Sequence, residues 1–368
     1  MEKGKVNIVM DGQWGSTGKG KLAGYLALKN DICASVCDFM SNAGHTWVSD
    51  EGKKIVTCQL PTALVNDDAM LLINAGSAIT LTQLFKELDE NPGVAGRLMI
   101  HPNTTIITQE DRDHEAKVLS QISSTLKGCG GSLSRKVMRV AKLAKDEPAL
   151  KQFIGDTTET THTFLKAGGT ILIEGAQGFD LSLNHGYGYP YCTSRDVTTM
   201  SILNNAGVPP HYLGDVYGSL RTYPIRVGNM YDDDGNEIGH SGPHYLDHEE
   251  LSWEDVTRLS GLPISDIDKI IERTTVTNKI RRVFSFSFRQ LDRFIKICSP
   301  TKLFVNFINH INANDCGVRA ATNLSIESSA WLNKLGYHIN NKKSLRGVPV
   351  PDISHVGTGP RNSEMVEL

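Results

Sequence analysis

The stretch Gly12-Gln13-Trp14-Gly15-Ser16-Thr17-Gly18-Lys19-Gly20-Lys21 decides the fold. In front of it, residues 6–10 form a short apolar run ending in Asp11-Gly12, the pattern of a buried strand running into a loop. Behind it, residues 19–30 place Leu22, Leu26 and Ala27 at helical spacing. Strand, glycine-rich loop and helix follow in that order. The glycines free the loop backbone to turn its N–H groups inward, and the helix N-terminus adds the positive end of its dipole. Lys19 and Lys21 bring cationic charge to a polyphosphate. The spacing departs from the Walker A pattern. The competing reading is a glycine-rich turn that binds nothing.

The rest of the chain repeats this alternation. Apolar runs at residues 34–39, 70–73, 170–173 and 302–305 read as strands, with helical patterns around residues 81–88 and 116–126. Residues 137–165 read as helical, broken near Pro148. The alternation predicts an α/β fold with a large, mostly parallel central sheet flanked by helices. Ligands of such sheets bind beyond the carboxyl ends of the strands. Residues 231–268 are acidic, polar and punctuated by Gly and Pro, so they read as a polar excursion. No repeat or low-complexity linker divides the chain, and residues 1–368 are read as one domain.

Composition excludes several classes. Hydrophobic residues make up 39% and charged residues 21% of the 368, which fits a folded protein with a sizeable core. The net charge of −3 gives no basic excess for nucleic acid. The seven cysteines are scattered without a CxxC pair, against both a zinc site and a disulfide framework. No apolar run reaches the roughly 18 residues of a membrane span. A reducing cytoplasm is the expected compartment.

A second motif, Asn42-Ala43-Gly44-His45-Thr46, follows the strand at 34–39 and should reach the same sheet edge. His45 is there a candidate general acid toward an oxyanion or phosphate. A lone loop histidine is otherwise a solvated or satisfied side chain. Together the two motifs resemble the adenylosuccinate synthetase family, which reads Gln-Trp-Gly-Asp-Glu-Gly-Lys-Gly-Lys and then Asn-Ala-Gly-His-Thr. Further matches follow in order: Glu174-Gly175-Ala176-Gln177-Gly178, His185-Gly186, Tyr189-Pro190-Tyr191-Cys192-Thr193-Ser194, Arg226-Val227-Gly228 and Gly357-Thr358-Gly359-Pro360-Arg361. Residues 100–165 match weakly.

The resemblance implies a ligase that moves a γ-phosphoryl group onto a purine 6-oxygen, which aspartate's amine then displaces as phosphate. It implies that Ser16, Thr17, Gly18, Lys19, Gly20 and Lys21, with Gly357 and Gly359, hold the nucleoside triphosphate. Ser16 and the Gly44 carbonyl would ligate Mg2+. Ser16, His45 and Gln177 would carry the chemistry. Ser16, Asn42, Gln177 and Thr193 would hold the purine monophosphate. Gly130-Gly131-Ser132 replaces a Thr-Gly-Arg-Gly phosphate loop, which makes Ser132 a phosphate candidate. Arg139 stands where the family has an arginine reaching the neighbouring subunit's nucleotide, so a homodimer is implied. Thr277, Lys279 and Arg281, within a remnant of the family's basic loop, would hold L-aspartate, since a guanidinium fork suits a carboxylate.

Two departures bear on the substrates. Ser16 replaces the family's aspartate, which removes the N1 proton of inosinate and ligates the metal. Serine is smaller, leaves room for an exocyclic 2-amino group and accepts a hydrogen bond from it. Asn309 replaces the aspartate that reads the guanine of GTP, and Phe307 replaces a neighbouring lysine. An amide both donates and accepts, which suits adenine. Both changes resemble the phage branch of the family, the 2-aminoadenylosuccinate synthetases, which act on dGMP, aspartate and ATP or dATP. Asp180 is a candidate for the N1 proton. The rival readings are an ordinary synthetase acting on IMP with GTP, and a nucleotide-binding protein that lost catalysis. Retention of His45, Gln177 and the basic loop argues against the last.

Overall fold

The computed structural model describes residues 1–119, 122–273, 280–341 and 349–368. At its centre lies β1 (Val6–Asp11), buried at every position. The sheet strands that follow in the chain are β2 (Ala34–Asp38), β3 (Met70–Ile73), β4 (Leu98–Ile100), β5 (Ile171–Gly178), β6 (Leu213–Arg221), β7 (Lys302–Asn306), β8 (Asp352–Gly357) and β9 (Met365–Glu367). They form one nine-stranded sheet in the order β9-β8-β7-β6-β1-β5-β2-β3-β4. Every neighbouring pair is parallel except β8 with the edge strand β9. A mostly parallel α/β sheet was the expectation. Its strands carry continuous apolar runs because helices cover both faces.

The alternation of β1 assigns those faces. Val6, Ile8 and Met10 join Ile202 and Leu203 of α6 (Thr199–Ala206), Leu291 and Phe294 of α8 (Phe288–Cys298) and Leu335 of α9 (Ile326–Asn341). Val9 turns the other way, to Leu22, Ala23 and Leu26 of α1 (Lys19–Lys29). Each such fully buried leucine or phenylalanine contributes roughly 1.5–3 kcal/mol. Gly12 is required here: an added Cβ would lie 2.7 Å from the Phe294 ring.

The weakly matching middle is where local expectations fail. The helix expected at 116–126 is instead α3 (Gln109–Val118), because Thr108 and Asp111 form a reciprocal cap that fixes its start. The helical reading of 137–165 also gives way. Helix α4 (Cys129–Val137) ends before Arg139, whose φ of 67° is left-handed. Short 3-10 helices follow at Ala144–Asp146 and Pro148–Phe153, and α5 (Thr157–Lys166) starts behind an Asp156 cap. Part of the stretch 231–268 joins small sheets apart from the nine-stranded one. Glu250–Leu251 pairs with Arg282–Phe284, which also pairs with Ile225–Arg226, and buried Trp253 and Val256 pack there on Ile225 and Val283. Among the described residues no helix is long and apolar enough to cross a membrane.

Candidate active site

Parallel pairing brings the carboxyl ends of β1, β2, β5, β6, β7 and β8 to one edge, and the loops leaving them build the site. The glycine loop is organised by a residue to which the sequence reading gave no role. Asp11, fully buried at the tip of β1, accepts the backbone N–H of Gln13 at 2.8 Å and of Gly15 at 3.2 Å. It also takes the Thr17 hydroxyl at 2.6 Å and the Lys19 ammonium at 3.2 Å. Lys19 further donates to the Gln177 carbonyl at 3.2 Å. Ser16 is left exposed at the apex with a left-handed φ of 57°. Its carbonyl accepts from Arg221 Nη1 at 3.0 Å.

Lys21 corrects one expectation. Its ammonium donates to the carbonyls of Gly359 and Glu364, so it fastens α1 to the turn between β8 and β9. Burial, opposed by Glu364, pushes its pKa down to about 7. Lys19 is therefore the lysine seated in the loop itself.

His45 opens the hairpin after β2. Its Nδ1 lies 2.5 Å from Glu174 Oε1, and Glu174 also accepts the Thr62 N–H at 2.7 Å and the Thr62 hydroxyl at 2.8 Å. Nε2 is buried without a protein partner, so the ring is held on one side with its reactive nitrogen spare. This is the base–orienter arrangement of acyl and phosphoryl transfer sites. Gly20 lets α1 approach: a Cβ there would fall 2.8 Å from the Thr46 nitrogen and 3.0 Å from the His45 Cβ. The signal for Glu174 is an ionisable residue directly after the apolar run 170–173, since such a group is buried only with partners.

Gln177 and Asn42 come together, with Gln177 Nε2 donating to Asn42 Oδ1 at 2.8 Å and Gln177 in a left-handed conformation. Gly178 abuts the loop so closely that a Cβ would sit 2.3 Å from the Gln13 carbonyl and 2.4 Å from the Gly15 nitrogen. Thr193 is buried nearby, its N–H on the Leu181 carbonyl.

Ser132 is not a phosphate ligand in this arrangement. It is 1% exposed and its hydroxyl donates to the Cys129 carbonyl one turn back. The α4 N-terminus above it is filled by the Glu115 carboxylate, which accepts the N–H groups of Gly128 at 2.6 Å and Gly130 at 2.5 Å. Helix N-termini take anions, and here the anion is internal. Asp180 is corrected likewise. It is 1% exposed and accepts from Tyr245 Oη at 2.8 Å and Gln290 Nε2 at 3.0 Å, so it is committed behind the loop. Burial raises its pKa, against those two bonds.

On the far side, Asn306 at the tip of β7 donates to the Thr17 carbonyl at 3.1 Å. A Cβ on Gly18 or on Gly357 would fall 2.0 Å from its side-chain amide, so these glycines exist to admit Asn306. Asn309 is half-buried in the following turn, Ile308–His310. Phe307, left-handed at 61°, stacks on the Arg221 guanidinium 4.2 Å from the ring centroid. Arg221 is fully buried and paired with Glu272. Arg281 donates its backbone N–H to the Glu272 carbonyl at 3.0 Å. Thr277 and Lys279 lie outside the described residues. Arg139 is exposed at the end of α4.

The sequence profile described as adenylosuccinate synthetase matches residues 8–148 and 140–231 of this chain. The chain is 35% identical over 343 residues to the N6-succino-2-amino-2'-deoxyadenylate synthase of Acinetobacter phage SH-Ab 15497, covering 84% of this chain and 86% of the relative.

The chain belongs to the adenylosuccinate synthetase family.

The enzyme of the same name from Vibrio phage phiVC8 is 37% identical over 320 residues, covering 83% and 87%. The adenylosuccinate synthetase of Methanocaldococcus jannaschii is 31% identical over 367 residues, covering 98% and 96%. Among solved structures, the succinoaminodeoxyadenylate synthetase of cyanophage S-2L, bound to dGMP and to dATP as an energy donor, superposes with a TM-score of 0.79 at 31% identity, covering 99% of this chain and 95% of that one. The fully ligated adenylosuccinate synthetase of Plasmodium falciparum shares the fold at a TM-score of 0.81. As a family member the chain is a carbon–nitrogen ligase of adenylosuccinate synthetase type.

Proposed function

We propose that this synthetase joins L-aspartate to C6 of dGMP, using ATP or dATP, to give N6-succinyl-2-amino-2'-deoxyadenylate, the nucleoside diphosphate and phosphate. The observation that carries this reading is Ser16: a small, exposed hydroxyl at the apex of the glycine loop, on a left-handed backbone. The family's carboxylate would crowd a 2-amino group there. Phage relatives named for this product, and the cyanophage structure bound to dGMP and dATP, support it.

The first step breaks the bond from the γ-phosphorus to its bridging oxygen, forms the O6–phosphorus bond and passes the N1 proton to solvent. The aspartate amine then adds at C6, the C6–O6 bond breaks, phosphate leaves and the amine gives up a proton. Positioning and neutralisation of charge dominate such transfers. His45 Nε2 donates to O6 or the transferred phosphoryl group, while Glu174 holds the ring through Nδ1. Gln177 and Asn42, with Thr193, orient the base. Lys19 and the loop hold the triphosphate, and the Asn309 turn with Gly357 and Gly359 borders its base. Arg281 binds a carboxylate of L-aspartate. The Ser16 hydroxyl and the Gly44 carbonyl, both on exposed residues, would hold Mg2+, which when bound supplies charge neutralisation to the triphosphate.

Purified protein with aspartate and Mg2+ tests the reading, with dGMP set against IMP and ATP against GTP. Phosphate release with dGMP plus ATP is expected. Release only with IMP plus GTP makes it an ordinary synthetase, and release with no pair makes it a mere binder. Ser16→Asp is expected to lower kcat/KM for dGMP at least about tenfold, the scale on which pockets reject misfit groups. Unchanged dGMP turnover in that variant sinks the steric account.

The homodimer belongs to the same proposal. Around exposed Arg139, Val137, Met138 and Val140 are 73%, 69% and 66% exposed, an apolar strip that suits burial against a second copy. Sedimentation is expected to show a dimer, and Arg139→Ala to raise the KM for dGMP. A monomer that turns over dGMP at full rate removes Arg139 from the site.

A further inference from the structure

Ser16 holds a left-handed backbone although it has a side chain, which costs about 1–2 kcal/mol and persists only where its surroundings impose it. Asp11 holds the flanking Gly15 and Thr17, and Arg221 holds Ser16 itself. Its Nη1 donates to the Ser16 carbonyl at 3.0 Å, and its Nη2 pairs with Glu272. One face of the guanidinium is stacked on Phe307. Its backbone exchanges two bonds with the Gln13 side chain, at 3.0 and 3.2 Å. Arg221 is thus fixed by the loop that carries Ser16, by the segment after β7 and by the stem that leads to Arg281.

We propose that Arg221 is a positioning residue for purine selectivity: its ion pair with Glu272 holds Ser16 in the conformation that admits a 2-amino purine. The inference rests on dGMP being the substrate. A guanidinium makes two directed bonds from one rigid fork, which an ammonium cannot reproduce. With Arg221 fully buried, a counter-charge is required, and Glu272 provides it. Burial would raise the Glu272 carboxyl, yet the Arg221 charge overrides it and holds the group below its ordinary range. His310, behind the pair, is pushed down to about 4, by burial first and by Arg221 second, so it stays neutral and does not compete for Glu272. The same Glu272 accepts the Arg281 N–H through its carbonyl. The loop apex and the candidate aspartate contact therefore share one anchor.

A merely structural ion pair would change melting temperature and leave selectivity alone. Wild type, Arg221→Lys and Glu272→Gln are compared for kcat/KM with dGMP and with IMP, at saturating ATP and aspartate, alongside melting temperature. Expected is a fall of about tenfold or more in the dGMP-to-IMP ratio for Arg221→Lys, the loss of one charge-assisted bond at about 1.4 kcal/mol per decade. Glu272→Gln is expected to fall in between. Should Arg221→Lys fail to fold, Glu272→Gln decides, since its amide keeps the shape and removes the charge. Folded variants with the wild-type ratio overturn the inference and leave the function standing. A wild type that ignores dGMP overturns the functional reading itself.

Discussion

His45→Asn is expected to reduce kcat by roughly 10²–10⁴-fold, the range of a lost general acid, with the KM values for dGMP and ATP little changed. The reason is geometric. Glu174 fixes Nδ1 from one side and is itself fixed by two bonds from Thr62. Nε2 is the ring atom left without a protein partner, buried where α1 and the glycine loop approach. A buried polar nitrogen without a partner is unfavourable unless a ligand satisfies it. Phe39, 4.4 Å away between ring centroids, closes off one side. Glu174→Gln should give a smaller loss, because the imidazole keeps a partner but loses the charge that favours its protonated form. The double variant should be no slower than His45→Asn alone, since Glu174 acts through His45. Rates that multiply instead of saturating mean that Glu174 has its own task. A His45→Asn enzyme with kcat near wild type removes the general-acid role altogether.

How much of this was legible varies with the kind of constraint. The β1–loop–α1 start was readable because apolar run, glycines and helical spacing all point the same way. Strands at 34–38, 70–73 and 302–306 carried dense apolar runs for the same reason. β6 was hidden by Gly214, Asp215, Gly218 and Ser219, which break its apolar run although it neighbours β1. Helix α3 was misplaced because its start is set by the Thr108–Asp111 cap, a local signal that the apolar pattern does not carry. In the site, motif residues such as Asn42, His45 and Gln177 were found by resemblance, and the structure brings them to one edge. What the motifs could not show was the supporting set of Asp11, Glu115, Arg221 and Asn306. Each is a polar side chain at a strand tip or helix whose meaning depends on which distant backbone it meets. Ser132 shows the converse: a plausible hydroxyl in sequence, spent inside its own helix.

Asp11→Asn is expected to cost about 3–5 kcal/mol of stability, because it leaves the Lys19 ammonium buried without its counter-charge. Asp11 is 0% and Lys19 5% exposed, which decides the scale; an exposed pair would be worth only about 0–1 kcal/mol. The amide also turns donors toward a site already crowded with them, since the Gln13 and Gly15 N–H groups and the Thr17 hydroxyl all point at Asp11. The shift is read from the denaturant midpoint at constant m. A loss below about 1 kcal/mol is the size expected of an exposed pair and rejects this account. Lys19→Met should be milder, because removing the ammonium leaves Asp11 with three neutral donors. The double variant Asp11→Asn with Lys19→Met should regain part of the stability lost in Asp11→Asn. It should not regain ATP binding, since the charge meant for the triphosphate is gone. That split separates the two duties proposed for the pair: Asp11 shapes the loop, and Lys19, held by Asp11 and the Gln177 carbonyl, would supply charge to the triphosphate.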